Sequence, residues 1–141
     1  MPSLPDQLRR HSVALISLVV ALSSLAYNTW RNEKTEENRN VRTAGIELIL
    51  KLGELDRLVF FSHFAKDAVR GDPKEGWAYV LTIRDLGRLT HEPAMTSAAE
   101  LHRVWDQSWE GLESDRASAD RISDAIDRTR EDLLTVLAAL D

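Results

Sequence analysis

The chain has 141 residues, no cysteine and a formal net charge of −5, which leaves room for a short terminal segment and one small domain. The lack of cysteine excludes a disulfide scaffold, a thiolate zinc site, an iron–sulfur cluster, thiol catalysis and c-type haem attachment. Beyond residue 30, sixteen Lys and Arg stand against twenty-two Asp and Glu; that balance argues against nucleic acid as a partner, since such binding needs a clustered basic face.

After a short tail, residues 1–10, residues 11–30 contain no Asp, Glu, Lys or Arg and lie between Arg10 and Arg31. A helix of 20 residues covers the ~30 Å hydrocarbon core of a bilayer at ~1.5 Å per residue. Val13, Leu15, Ile16, Leu18, Val19, Val20, Leu22 and Leu25 supply the apolar surface. Tyr27 and Trp30 are residues of the kind that settle at the lipid–water interface. The sequence Ser24-Leu25-Ala26 has the small-x-small form of a signal cleavage site. The apolar character nevertheless runs on to Trp30, so a retained signal anchor is the expectation. Arg9-Arg10 lacks the surrounding motif of a twin-arginine signal. A plain count of Lys and Arg close to the span leans toward a cytoplasmic C-terminal part. A short basic segment followed by an apolar stretch is the usual export signal. The expectation is a single pass through a bacterial inner membrane, N-terminus inside and domain outside.

Residues 31–40, RNEKTEENRN, form the only wholly polar run and read as a stalk. From Val41 to Phe64, Glu47, Lys51, Glu54 and Arg57 recur at spacings of four, three and three, one polar helical face. Apolar residues cover most of the remainder, a surface that needs partners on more than one side. This helix is expected to stop near Gly71, read as a left-handed C-terminal residue. Asp72-Pro73-Lys74-Glu75 then restarts a helix, with Asp72 as cap and Pro73 at the first position. It runs to about Thr90. A third helix begins around Pro93, and Met95, Ala98, His102, Trp105, Trp109 and Leu112 follow a heptad seam. A fourth starts near Ser114 or Asp115, with Ile122, Ile126, Thr129, Leu133, Val136, Leu137 and Leu140 as its inner stripe. Nothing alternates with period two. The fold expected is all-α: one transmembrane helix, a polar stalk, and a small antiparallel four-helix bundle over residues 41–141.

Chemistry is sparser. His63 with Asp67, and His102 with Asp106, are four apart on two helices, ordinary zinc or iron ligand types. No Glu-x-x-His motif of di-iron bundles accompanies them, so the expectation is no metal and no cofactor. Phe60, Phe61, Phe64, Trp77, Tyr79, Trp105 and Trp109 could line a pocket between helices and are equally the material of a core; Phe60, Phe64, Trp77, Trp105 and Trp109 are the candidate contacts to a ligand or partner. Asp120, Asp124, Asp127 and Glu131 form a carboxylate stripe interleaved with Arg116, Arg121, Arg128 and Arg130. Arg116–Asp120 and Asp124–Arg128 have helix-neighbour spacing, which reads as a self-paired solvated face. Arg70-Gly71-Asp72 spells an adhesion tripeptide that the helix-start argument already absorbs. No phosphate-binding glycine loop or framed nucleophile occurs, so no enzyme is expected.

The layout of anchor, stalk and helical bundle resembles the extracytoplasmic sensing modules of bacterial chemoreceptors, a similarity of architecture alone. It departs from them in having no second spanning segment and no signalling domain after the bundle. The functional expectation is therefore an accessory or scaffold protein acting through helix–helix contacts, with another membrane protein or a second copy as partner. The alternative is a ligand-sensing module using an aromatic pocket between helices.

Overall fold

A computed structural model describes residues 4–140, with side chains described over residues 11–140. It is helical, with no strand among the described residues: α1 spans Leu4–Val59, α2 Pro73–Gly87, α3 Ala94–Ser108 and α4 Arg116–Ala138. A π-helical turn, Phe60–Phe64, follows α1, and a 3₁₀ turn, Trp109–Gly111, follows α3. Contacts divide the chain into two units, Met1–Glu37 and Asn38–Asp141.

In the first unit, every side chain from His11 to Trp30 is exposed. The helix is long and apolar enough to cross a membrane, and none of its most apolar window is buried within the protein. A soluble surface rarely leaves so large a contiguous apolar area in water. The Ser17 hydroxyl donates to the Val13 carbonyl at 2.9 Å, so this polar group is satisfied within the helix itself, as a hydrocarbon environment requires. Replacing Val19 and Val20 together with Arg should cost ~2.5–3.5 kcal/mol per charge at the centre of a bilayer. The doubly substituted protein is expected in the soluble fraction and the unmodified protein in the carbonate-resistant membrane fraction. Release of the unmodified protein by carbonate would refute membrane insertion.

The second unit has one hydrophobic core, to which all four helices contribute. From α1 come Val41, Leu48, Leu52, Leu55, Leu58 and Val59; from α2, Val80 and Ile83; from α3, Ala94, Ala98, Leu101 and Trp105; from α4, Ala119, Ile122, Ile126, Leu133 and Val136. Each set recurs at three- and four-residue intervals, which gathers it on one helical face. Helix α4 meets both α1 and α3 near each of its ends. Between α1 and α4, Gly45 faces Leu133 and Leu137, the Arg42 guanidinium donates to the Leu140 carbonyl at 3.2 Å, and Arg116 lies over the Phe64 ring. Between α3 and α4, Thr129 Oγ1 donates to Ser97 O at 3.2 Å and Arg121 Nε to Ser108 Oγ at 3.2 Å.

The helix starts follow their expected chemistry. Asp72 accepts from Lys74 N at 2.9 Å with Pro73 behind it. Asp115 accepts from Ala117 N and Ser118 N at 3.1 and 3.0 Å. Both satisfy amides that the first turn leaves without helical partners. At the start of α3, where Pro93 has no capping side chain, Glu92 accepts from both Thr96 N and Thr96 Oγ1.

Three expectations are corrected. The first long helix does not reach Gly71: α1 ends at Val59, and the π turn closes with Ala65 N donating to Phe60 O at 3.0 Å. The left-handed position belongs to Lys66, at φ 54°, and Gly71 has another role. A Cβ on Gly71 would lie 2.2 Å from Ser62 N, so this glycine lets the returning chain press against the backbone of the π turn. The buried face of α3 is also rotated from the heptad seam. Leu101, Ser97 and Ser108 are buried, whereas Met95 is 38 % exposed and His102 and Trp109 are half-buried. Small side chains line this face because the neighbours approach closely, and a buried serine hydroxyl such as that of Ser97 is satisfied by its own helix, at Ala94 O. Finally, Ile46, Leu50, Phe60 and Phe64 remain 51–57 % exposed, so the domain covers less of α1 than its apolar surface demands.

Trp105 is fully buried, and a Cβ on Gly76 would lie 2.1 Å from its ring atom Cζ2. Trp105→Ala should cost ~3–5 kcal/mol, as for other buried large aromatics. Gly76→Ala should lower the melting temperature of the full chain because the ring has nowhere to go. In a Trp105→Ala background the same change should be neutral or favourable, since Ala suits a helix by up to ~1 kcal/mol over Gly. Thermal melts of the four proteins measure this coupling; additive losses would disprove the steric contact.

Candidate functional site

The sequence candidates fall into three groups in space. Trp77, Trp109 and His102 come together: the ring centroids of Trp77 lie 5.9 Å from His102 and 6.2 Å from Trp109, both edge-to-face. All three are half-buried, and Trp77 and Trp109 pack against the outside of the core. Trp105 lies inside the core itself. Phe60 and Phe64 form a separate pair, stacked at 6.2 Å on the exposed side of the π turn. The five aromatic candidates therefore do not line one pocket.

Three of the four His/Asp candidates, His63, Asp67 and His102, are engaged by the protein. The Leu112 carbonyl lies 2.8 Å from His63 Nδ1; a carbonyl only accepts, which places the proton on Nδ1. Asp67 accepts from Val69 N and Arg70 N at 3.1 and 3.0 Å and from Arg70 Nε at 2.6 Å. These bonds, foremost that from the Arg70 amide, hold the Asp67 carboxyl below its usual range. His102 sits against Trp77, and Asp106 is exposed. Among the described residues no group of three or more His, Cys, Asp or Glu is placed to hold a metal ion.

A groove of about 410 Å³ lies between α1 and α2. Phe61 and Tyr79 form its apolar walls, with Glu54, Arg57, Arg70 and Glu75 around them. Arg70 stacks on the Phe61 ring at 4.0 Å, and Lys51 approaches the Tyr79 ring at 5.9 Å while pairing with Glu54 at 2.7 Å. Phe61 and Tyr79 are among the aromatics that the sequence offered for a pocket between helices; what the sequence did not offer is their pairing with Glu54, Arg57, Arg70 and Glu75, which come together only once the chain turns back after α1.

The second feature is the exposed apolar side of α1. Ile46 and Leu50 are 54 % and 57 % exposed, and a Cβ on Gly53 would have nothing within 4 Å. Phe60 and Phe64 continue this side. A shallow depression there is bordered by Gly53, Asp56, Arg57, Phe60, Phe64 and Ser123. The charged stripe of α4 flanks this side, with Arg116 over the Phe64 ring and Arg130 3.8 Å from Asp56, and is partly self-paired, Arg116 with Asp120 at 3.0 Å and Arg130 with Asp127 at 2.8 Å.

Family profiles, curated proteins and solved structures offer no match to this chain. Function is therefore argued from the two surfaces just described.

The pH response of the domain follows from its caps. The Ser118 hydroxyl, then the Ala117 and Ser118 amides, hold the Asp115 carboxyl below its usual range. A carboxyl with a lower pKa folded than unfolded adds stability at neutral pH, and loses that contribution as pH falls through its folded pKa. The melting temperature of the full chain should therefore drop on acidification below ~4, the ordinary Asp range. Asp115→Asn keeps an acceptor for the amides but cannot titrate, so its melting curve should respond less to acid. An unaltered response would exclude Asp115 as a contributor.

Proposed function

We propose that this chain is a membrane-anchored scaffold or accessory protein that works through helix–helix contacts on the exposed side of α1. The observation that carries this reading is the exposure of Ile46, Leu50, Phe60 and Phe64 on a helix whose opposite face is fully committed to the core. Hydrophobic anchors on one helical face are the usual material of a helix-mediated contact. On this reading residues 31–40 serve as a stalk, and residues 41–141 form an antiparallel four-helix bundle, supported by the contacts that α4 makes with both α1 and α3. The protein makes a single pass through a bacterial inner membrane with its N-terminus in the cytoplasm. No reaction is assigned to it, and no nucleic acid is expected among its partners. The alternative, a ligand-sensing module, rests on the groove at Phe61 and Tyr79, because the other aromatic candidates are dispersed.

The test is site-specific photocrosslinking of the full chain in its native membrane. A photoreactive side chain in place of Leu50 or Phe64 should give covalent protein adducts, and one in place of the exposed Ala99 on α3 should not. Absence of adducts at both Leu50 and Phe64 would overturn the helix-contact reading.

A further inference from the structure

The exposed side of α1 carries a regular spacing. Ile46, Leu50, Gly53, Arg57 and Phe60 follow intervals of four, three, four and three, those of a coiled-coil seam. All four leucines of residues 11–30, Leu15, Leu18, Leu22 and Leu25, also follow three, four and three. Leu25 and Ile46 are separated by three whole heptads in sequence, so both sets belong to one register. The seam positions between them, among them Asn32, Glu36 and Arg39, are polar.

We infer that the occupant of this face is a second copy of the same chain, aligned in parallel through α1; the inference rests on the helix-contact reading above and names its partner. Two copies held by the same N-terminal span enter the membrane in the same direction. Their leucines then lie at the same depth and their seams in the same register. Closely packed side chains, rather than the hydrophobic effect, join helices inside lipid, most often at the shallow left-handed crossing of a coiled coil. Outside the lipid the flanking charges are complementary in this alignment. Positions before and after a seam pair across a parallel two-stranded interface. That places Arg42 beside Glu47 of the other copy; Asp56, just before the seam, borders the hole into which the seam residue Arg57 of the other copy inserts. Arg42 and Asp56 are both exposed; their contacts within the chain, to the Leu140 carbonyl at 3.2 Å and to Arg130 at 3.8 Å, lie at the surface. Gly53 leaves open space on the seam beside Arg57, which gives the long Arg57 stem of a second copy room to lie down. An antiparallel or out-of-register partner would lose these charge pairings together with the alignment of the leucines.

The chain has no cysteine of its own, so single-cysteine variants report directly. In a parallel two-fold pair each seam residue meets its own counterpart. Leu25→Cys, Ile46→Cys and Gly53→Cys of the full chain, oxidised in membranes, should give severalfold more disulfide-linked dimer than the exposed Ala99→Cys. Leu50→Glu added to Gly53→Cys should cut the dimer severalfold. Crosslinking at Ala99→Cys equal to that at the seam positions would mean random collision and overturn the inference, as would absence of dimer at all three seam positions. The photoreactive side chain at Leu50 separates the two readings. Adducts with a mass other than twice the chain, without disulfide dimer, leave helix contact standing and remove self-pairing. No adduct at all removes both.

Discussion

The seating of Trp105 on Gly76 governs the second unit. The largest fully buried side chain in the protein lies against a glycine in the first turns of α2, so the ring sets how closely α2 and α3 approach. Gly87 and Ala98 maintain that approach at the other end of α2, where a Cβ on the glycine would be 2.5 Å from the alanine methyl. The closeness has a cost. The Trp105 Nε1–H is buried with no hydrogen-bond acceptor among the described residues, a loss of ~1–3 kcal/mol for a neutral donor. Burial of so large an aromatic surface offsets it. The same closeness explains why small residues, rather than more leucines, occupy the inner face of α3.

A different constraint acts on α1. Over residues 11–30 it is apolar and long enough to cross a membrane, and over residues 41–59 it has a core-facing side and an exposed apolar side. Lipid asks for apolarity around the whole circumference, whereas a core asks for a stripe. The uncharged run and the Leu48, Leu52 and Leu55 stripe meet these two demands separately. Ile46 and Leu50 satisfy neither, and their presence in water is what directs attention to association.

Much of the helical layout was legible because it follows from periodicity and from capping chemistry. The α4 stripe of Ile122, Ile126, Thr129, Leu133 and Val136 is buried as its spacing required. The Asp72-Pro73 start also matched its local signal. Where the reading missed, the deciding interaction was not local. Gly71 looks like a helix terminator in sequence, but its lack of a side chain is needed by the backbone of residues 61 and 62. The face of α3 was misplaced because Ser97 and Ser108 are counted as polar in a sequence, although a hydroxyl bonded to its own helix, as at Ser97, or to a neighbouring helix, as Ser108 is to Arg121, can pack as a small residue. Phe61 and Tyr79 were legible as aromatics suited to a pocket, but their selection from the seven, and the charged residues around them, were not, because the walls of the groove meet only after the chain turns back. Trp105 and Trp109, one turn apart, received similar weight in sequence, and only packing separates the buried ring from the half-buried one.

The turn between α1 and α2 has a consequence for the handling of this domain. Lys66 and Arg70 are exposed basic residues in an irregular connection, Lys66 with a left-handed backbone, and such segments are where proteases enter a folded chain. Trypsin acting there would divide the molecule into a piece holding α1 and ending near the π turn and a piece holding α2, α3 and α4. Neither piece keeps a closed core, since Leu48, Leu52, Leu55 and Leu58 lie on the first and Ile83, Trp105, Ile122 and Leu133 on the second. The domain thus contains a natural split point. Each half contributes one side of the same apolar core, so cutting here would leave the two pieces with complementary apolar faces.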